Sequence, residues 1–344
     1  MQDTIGIAII GAGYWGPNLI RNFMTINGCQ VTWVCDLKPG RRQYIQKRFP
    51  GIPVIDSVDT VLKDEKVAAV VVATPVSTHH EIALSALQSG KHIWIEKPLA
   101  DSVPKAREIV QEAESMGRVL FTDHLFIYNP AIQKAKEIIT QGGVSDLCYA
   151  ESGRVNLGPP ASEVDVLWDL ATHDLAITYY LWGKRPAEVV AYGRRFQHPT
   201  LLDMAFIHLH FDDGSTTLHH VSWLCPEKTR RYFVSGKKGS LLFDDTQKEK
   251  KLRFIDQGVD SRIGAKDDEI KELFYKPGEI LFPDYDQAEP LKAACEHFLN
   301  CIRNREKPRS DGDAGLAVVE MLEAAELSIN EGSKPITLNT SPDY

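Results

Sequence analysis

The chain predicts an α/β fold in two parts: an N-terminal doubly wound parallel sheet, followed by an α/β domain built around antiparallel hairpins. Three observations predict it. An apolar strand, Ile5 to Ile10, runs directly into Gly11-Ala-Gly13-Tyr14-Trp15-Gly16. From residue 1 to about 122, short apolar runs alternate with amphipathic stretches, as strand-helix-strand units require. After residue 123 the pattern changes to paired alternating segments joined by turn residues. We therefore divide the chain into a dinucleotide-binding domain over 1–122 and a substrate-binding and oligomerisation domain over 123–344.

The first element carries the strongest signal. Gly11 lets the chain turn off the strand, Gly13 admits a pyrophosphate close to the backbone, and Gly16 lets the following helix approach the sheet. The helix N-terminus then faces the phosphates, with Tyr14 and Trp15 inside the same loop. Asp36 ends the second strand, Val31 to Asp36, roughly 20 residues beyond the last glycine, where an acid binds the ribose hydroxyls. A carboxylate there repels a 2′-phosphate, so the expected cofactor is NAD. Lys38, Arg41 and Arg42 follow at once and keep NADP open, since a basic cluster accepts that phosphate.

Later elements continue the alternation. Val54-Ile55 is a short third strand, and Val67 to Ala73 is a continuous apolar run of the kind buried on both faces. A helix over 78–89 leads to the strand His92 to Ile95. The helix over 103–116 has Pro104 in its first turn, and Val119 to Phe121 closes the sheet. Helix 130–141 then stops at a Gly-Gly pair. Met204–Phe211 and Thr216–Leu224 flank Asp212-Asp213-Gly214-Ser215, a hairpin signal. Alternation places Ile207, Leu209, Phe211, Leu218 and Leu224 on the core face of that hairpin. His208, His210, Thr217, His219, Val221 and Trp223 fall on the other face, with His219 opposite His208. These histidines lack a carboxylate or cysteine at ligand spacing, so no metal site is expected. Asp244 to Asp284 is charged and weakly periodic, which predicts edge strands and a long, mobile surface loop. Helical stretches over 289–303 and 315–330 are expected to close the second domain.

Composition bounds the function classes. With 344 residues, 43% hydrophobic and 25% charged, the chain is globular and long enough for two cores. No apolar run approaches the roughly 20 residues of a membrane span, and the stretch before Gly11 is too short and lacks the basic start of a signal peptide. A net charge of −8 offers no footprint for nucleic acid. The six cysteines are scattered without Cys-x-x-Cys spacing, which argues against a zinc site or a disulfide framework. The expectation is a cytoplasmic enzyme acting on a small molecule.

Chemistry concentrates where the parallel sheet would deliver it, at the carboxyl ends of its strands. Thr74-Pro75 ends the fourth strand and leads to His79, a loop that would border the nicotinamide. Glu96-Lys97-Pro98 ends the fifth, with Glu96 and Lys97 expected beside the cofactor; a lysine there can hydrogen-bond a substrate hydroxyl, although alone it reads more often as a surface lysine. Asp169 and His173 lie four apart at the start of an apolar helix running to Leu181. That spacing lets an acid orient an imidazole as general base, or simply places an acid near a helix start beside a core histidine.

Taken together, Gly11 to Pro17, Thr74-Pro75, Glu96-Lys97-Pro98 and Asp169-xxx-His173-Asp174 resemble the Gfo/Idh/MocA oxidoreductases across nearly the whole chain. The resemblance implies a Rossmann domain, a second α/β domain with a large open, mostly antiparallel sheet, and homodimers or homotetramers formed through that sheet. It implies Lys97, Asp169 and His173 as catalytic residues in the reversible oxidation of a secondary alcohol on a sugar ring. Further phrases around Tyr128, Gly153-Arg154-Val-Asn156 and Val221 to Arg230 resemble members that act on nucleotide-activated sugars, in particular UDP-N-acetylglucosamine 3-dehydrogenases. On that resemblance Arg154 and Asn156 would stand at the substrate entrance, with Arg154, Lys228 or Arg230 meeting the diphosphate. A free-polyol or inositol dehydrogenase, a sugar 3-ketoreductase and a non-catalytic NAD-bound regulator remain the alternatives.

Overall fold

The computed structural model describes residues 4–158, 164–259 and 278–338. Contacts divide the chain into two units: Met1–Tyr128 with Ala288–Val319, and Asn129–Gln287 with Glu320–Tyr344.

The first unit is built on six parallel strands: β1 (Ile5–Ile10), β2 (Cys29–Cys35), β3 (Val54–Ile55), β4 (Ala69–Val72), β5 (His92–Ile95) and β6 (Leu120–Thr122). Their order is β3-β2-β1-β4-β5-β6, so the chain reverses direction of travel across the sheet between β1 and β4. Such a switch point opens a crevice at the carboxyl ends of the strands. β1, β4 and β5 are almost wholly apolar and buried because helices cover both faces. The connecting helices are α1 (Gly16–Met24), α2 (Pro39–Arg48), α3 (Val58–Lys63), α4 (His79–Gln88) and α5 (Val103–Ser115). α1, α2 and α5 each carry proline in the first turn, and Ser57 caps α3 through its hydroxyl.

Helix α8 (Pro290–Asn304) also belongs to this unit, whereas its sequence had suggested that it would close the second domain. Its apolar face completes an aromatic cluster: Trp94 stacks on Phe121 at 4.0 Å between centroids, and Phe298 meets both rings edge-on. The Arg21 guanidinium pairs with Glu289 at 2.5 Å, and Arg303 Nη2 donates to the carbonyls of Asn27 and Gly28. The long helix α9 (Gly312–Asn330) starts in this unit and ends in the other. Its first turn lies so close to Leu120 and Leu99 that side chains at Gly312 and Gly315 would collide with them.

The second unit contains helices α6 (Pro130–Thr140) and α7 (Thr172–Trp182), the C-terminal part of α9, and a nine-stranded mixed sheet. Its strands are β7 (Ser145–Leu157), β8 (Glu188–Arg194), β9 (Met204–His210), β10 (Thr216–Ser222), β11 (Leu224–Lys238), β12 (Ser240–Asp244), β13 (Leu252–Ile255), β14 (Ile280–Leu281) and β15 (Ile336–Thr337). They run in the order β14-β13-β12-β11-β7-β10-β9-β8-β15, antiparallel throughout except for the β7–β10 pair. The segment expected to hold edge strands supplies β12, β13 and β14 at one end of the sheet. Residues 260–277 of the expected mobile loop lie outside the described residues.

The hairpin forms where expected, but its faces differ from the sequence reading. His208 pairs with Leu218 and His219 with Ile207. Thr217, His219, Val221 and Trp223 therefore join Ile207 and Leu209 in the core, while Leu218 sits on the open face with His208, His210, His220 and Phe206. A register one residue away from the expected one sends every side chain of one strand to the other face. The turn sets that register: the Phe211 N–H donates to Ser215 O, Gly214 adopts φ +82°, and Asp213 accepts from the Ser215 backbone and hydroxyl.

Candidate active site

In the first unit the glycine loop has the geometry its sequence requires. Gly11 has φ +100°, and any side chain there would strike the Ala73 carbonyl; one at Gly16 would strike the carbonyl of Gly11. Gly13 faces open space, the room a pyrophosphate needs to approach the backbone. No side chain caps the start of α1, which leaves its leading N–H groups to an anion. Asp36 is held by two backbone donors, Ala12 N–H to Oδ2 and Lys38 N–H to Oδ1, both at 2.8 Å. Arg42 turns back instead of outward, donating to the Asp36 and Leu37 carbonyls and pairing with Asp56 at 3.1 Å. That removes one of the three cations that kept a 2′-phosphate in play. These residues fit a dinucleotide with a free 2′-hydroxyl. Tyr14 stands 89% exposed at the loop tip, and Trp15 lies beneath it with Nε1 3.4 Å from Asp123 Oδ2.

The loop expected to border the nicotinamide is tied to the Glu96-Lys97-Pro98 turn. His79 is buried at the start of α4; its Nε2 lies 2.9 Å from the Thr74 carbonyl and its Nδ1 3.0 Å from that of Pro98. Burial lowers the imidazole's proton affinity, and the carbonyls work against that. His79 thus clasps the Thr74-Pro75 turn to the Glu96-Lys97-Pro98 turn through backbone contacts. Within the first of these turns the Thr78 hydroxyl lies 2.8 Å from both the Pro75 carbonyl and Thr74 Oγ1.

Glu96 lies beside a residue that sequence reasoning passed over. Glu96 and the neighbouring Asp123 are both pushed toward the protonated form, chiefly by burial. His124 follows, 2% exposed and driven down to about 3 by burial and by the charge of Lys97. Thr122-Asp123-His124 stands at the carboxyl end of β6, so the rule that singled out the ends of β4 and β5 would have found it.

In the second unit, Asp169 and His173 lie on one continuous helical stretch, but the turn between them is not regular. Leu167–Ala171 is wound as a π-helix before α7 begins. Asp165 stabilises the entry by accepting from the Leu167 and Trp168 N–H groups, and its own carboxyl is raised to about 6, mainly by burial. Such wide turns recur at functional sites because they re-aim the side chains they carry. Asp169 and His173 are both half-buried.

Arg154 is a correction to the sequence reading. It is 3% exposed, and its Nε and Nη2 both donate to Asp174 Oδ1, at 3.0 and 2.6 Å. Its alternating position on β7 faces the core, where Ser152 also donates to Asp174 and meets His219 Nδ1 at 2.8 Å. Arg154 therefore anchors the helix that carries His173, instead of waiting at an entrance for a diphosphate. Asn156 is half-buried and donates to the Leu157 carbonyl; Lys228 is exposed; Arg230 lies 3.4 Å from Asp245. Among the described residues no group of three or more His, Cys, Asp or Glu is placed to hold a metal, and no helix is long and apolar enough to cross a membrane.

Comparison with known proteins bears on both units. Residues 5–124 match the NAD-binding Rossmann-fold domain of the Gfo/Idh/MocA oxidoreductases, and residues 161–338 match the C-terminal α/β domain of the same family. The chain is 26% identical over 360 residues to the scyllo-inositol 2-dehydrogenase (NAD(+)) of Bacillus subtilis, covering 100% of this chain and 99% of that protein. It is 28% identical over 315 residues to the UDP-N-acetylglucosamine 3-dehydrogenase of Acidithiobacillus ferrooxidans, covering 90% and 93%. A solved structure of the Acidithiobacillus ferrooxidans enzyme matches with a TM-score of 0.82 at 25% identity, over 96% of this chain and 99% of that one. GenD2 from gentamicin A biosynthesis, solved in complex with NAD, shares the fold with a TM-score of 0.82 at 24% identity, over 98% and 97%.

Proposed function

The chain belongs to the Gfo/Idh/MocA oxidoreductase family, an NAD-binding sugar and polyol dehydrogenase family, and from that membership we propose that it oxidises the C3 hydroxyl of a nucleotide-activated sugar such as UDP-N-acetylglucosamine. The observation that carries the chemistry is the placing of Lys97 at the carboxyl end of β5, on a turn clasped by His79 to the loop after β4. The relative from Acidithiobacillus ferrooxidans supports the choice of sugar.

NAD supplies the hydride acceptor. Asp36 and the glycine loop bind it, and the clasped turns present Lys97 to the reacting carbon. In the proposed step His173, oriented by Asp169, takes the hydroxyl proton as the C–H bond breaks. The Lys97 ammonium donates to the developing alkoxide, which is worth most in a site from which water is excluded. A free-polyol reading is favoured by one observation, the full-length match to the scyllo-inositol enzyme. We also assign the open face of the second unit's sheet to self-association, because Phe206 and Leu218 stand 38% and 45% exposed beside Tyr192.

The test is turnover of NAD with UDP-N-acetylglucosamine, its uronic acid, a dTDP-hexose and myo-inositol, followed by absorbance of the reduced cofactor. Reduction with one nucleotide sugar alone supports the proposal. Equal turnover of myo-inositol overturns it in favour of the polyol reading.

A further inference from the structure

The first unit holds a second concavity, at the opposite end of its sheet from Lys97. A cavity of about 590 Å³ opens at the amino ends of β5 and β6, where His92 and Leu120 begin those strands, between the last turns of α5 and α8 and the first turn of α9. That volume suits a small organic ligand. Val110, Leu120 and Pro308, all buried, give it an apolar floor.

Two of the cations lining it stand without an acid. Arg118 Nε is sealed from solvent and has no acceptor among the described residues, and no ion pair among them engages Arg118 or Arg305. The Arg118 charge adds to burial in lowering the proton affinity of Lys91 and His92. Arg305 is exposed at the C-cap of α8 with φ +57°, a left-handed conformation that glycine adopts with less strain. An arginine at so constrained a position points to a use for its side chain. The third cation, Lys307, is engaged: Asp311 lies 3.2 Å from its Nζ, and Asp313 and Glu114 add to the field that raises the ammonium. His92 supplies a neutral donor. Burial holds the imidazole at about 4, and its Nδ1 accepts from the Val119 N–H at 3.0 Å, which puts the ring hydrogen on Nε2.

We propose that this cavity binds a small organic monocarboxylate, with its oxygens on Arg118, Arg305 and the His92 N–H and its hydrocarbon body on the apolar floor. The single charge follows from the acids that line the same cavity: Glu114, Asp311 and Asp313 repel a phosphate dianion more strongly than a monoanion. The site is separate from the cofactor crevice and stands whether or not Lys97 acts on a sugar.

Titration calorimetry on the full chain tests this, with saturating NAD present so that the glycine loop is occupied. The probes are hexanoate, its neutral amide hexanamide, and inorganic phosphate. Hexanoate is expected to bind more tightly than either of the others, and R118Q and R305Q should each weaken it about tenfold, the loss of one charge-assisted contact. K97A should leave that affinity unchanged, which separates this cavity from the crevice at the other end of the sheet. No measurable binding of hexanoate, equal or tighter binding of hexanamide or phosphate, wild-type affinity in either arginine variant, or a loss in K97A overturns the proposal. Arg305 is exposed, so R305Q decides if R118Q does not fold.

Discussion

Asp36 shows how a single side chain selects a cofactor. Its oxygens are fixed by the Ala12 and Lys38 N–H groups, so the carboxylate is preorganised before the ribose arrives. Asp36→Ala should raise KM for NAD about tenfold, the loss of one charge-assisted hydrogen bond, and narrow the preference over NADP. Initial rates with both cofactors measure it. At Lys97 and His173, replacement by alanine should lower kcat about 10²–10⁴-fold while NAD affinity, read by fluorescence titration, stays within a few-fold. Wild-type kcat in either variant would refute the assignment. His79 was legible as a residue near the cofactor, but its two carbonyl partners were not, because they belong to turns 5 and 19 residues away in the chain. His79→Ala should cost about 1–3 kcal/mol in urea unfolding, since the neutral imidazole donates its one N–H to one of these carbonyls and its removal leaves that carbonyl without its donor.

At the scale of elements, periodicity announced most helices and strands of the first unit to within a residue or two. α4 and α5, and α6 in the second unit, fall where the apolar spacing puts them, because each is an amphipathic stretch with its own proline, glycine or capping signal. The π-turn before α7 and the register of the β9–β10 hairpin were not legible. Both depend on which hydrogen bonds the folded surroundings favour, and the side-chain pattern alone fits more than one choice. The Arg154–Asp174 pair joins β7 to α7 inside the second unit's core. Arg154→Met should destabilise the protein by about 3–5 kcal/mol in urea unfolding, because Asp174 is left as a buried, unpaired charge. Arg154→Met combined with Asp174→Leu should recover much of that loss, which separates an unpaired charge from simple loss of packing.

For the whole molecule, buried histidines set the acid limit. His92, His124 and His219 are held by burial at about 4, 3 and 4, against an ordinary value of 6.5. The unfolded chain therefore binds more protons than the folded one below 6.5, and stability should fall as pH drops through that window toward 4. Asp165, raised to about 6 mainly by burial, and the Glu96–Asp123 pair act with the opposite sign: their contribution is present at low pH and fades as pH rises through their folded values. His79, His208, His220 and His297 are lowered too, chiefly by burial, and these seven histidines outnumber the three acids, so urea midpoints measured from pH 7 to 4 should decline; a flat or rising series would contradict it. The assigned sheet face makes a second forecast. Replacing Phe206 and Leu218 together by glutamate should lower the mass seen by light scattering, and an unchanged mass would place any interface elsewhere.

The amino-acid sequence by itself determined the cofactor half of this protein: the glycine loop, Asp36 and the strand-end positions of Thr74 and Lys97. Those features depend on hydrogen bonds and steric room between residues close in the chain, or on the invariable geometry of a parallel sheet. Only the tertiary structure decided that Arg154 is an anchor, that His219 faces inward, that Asp123 lies buried beside Glu96, and that residues 288–319 return to the first unit. Each of these depends on a partner brought from another strand or helix, and burial in a low-dielectric interior then changes what the same side chain does.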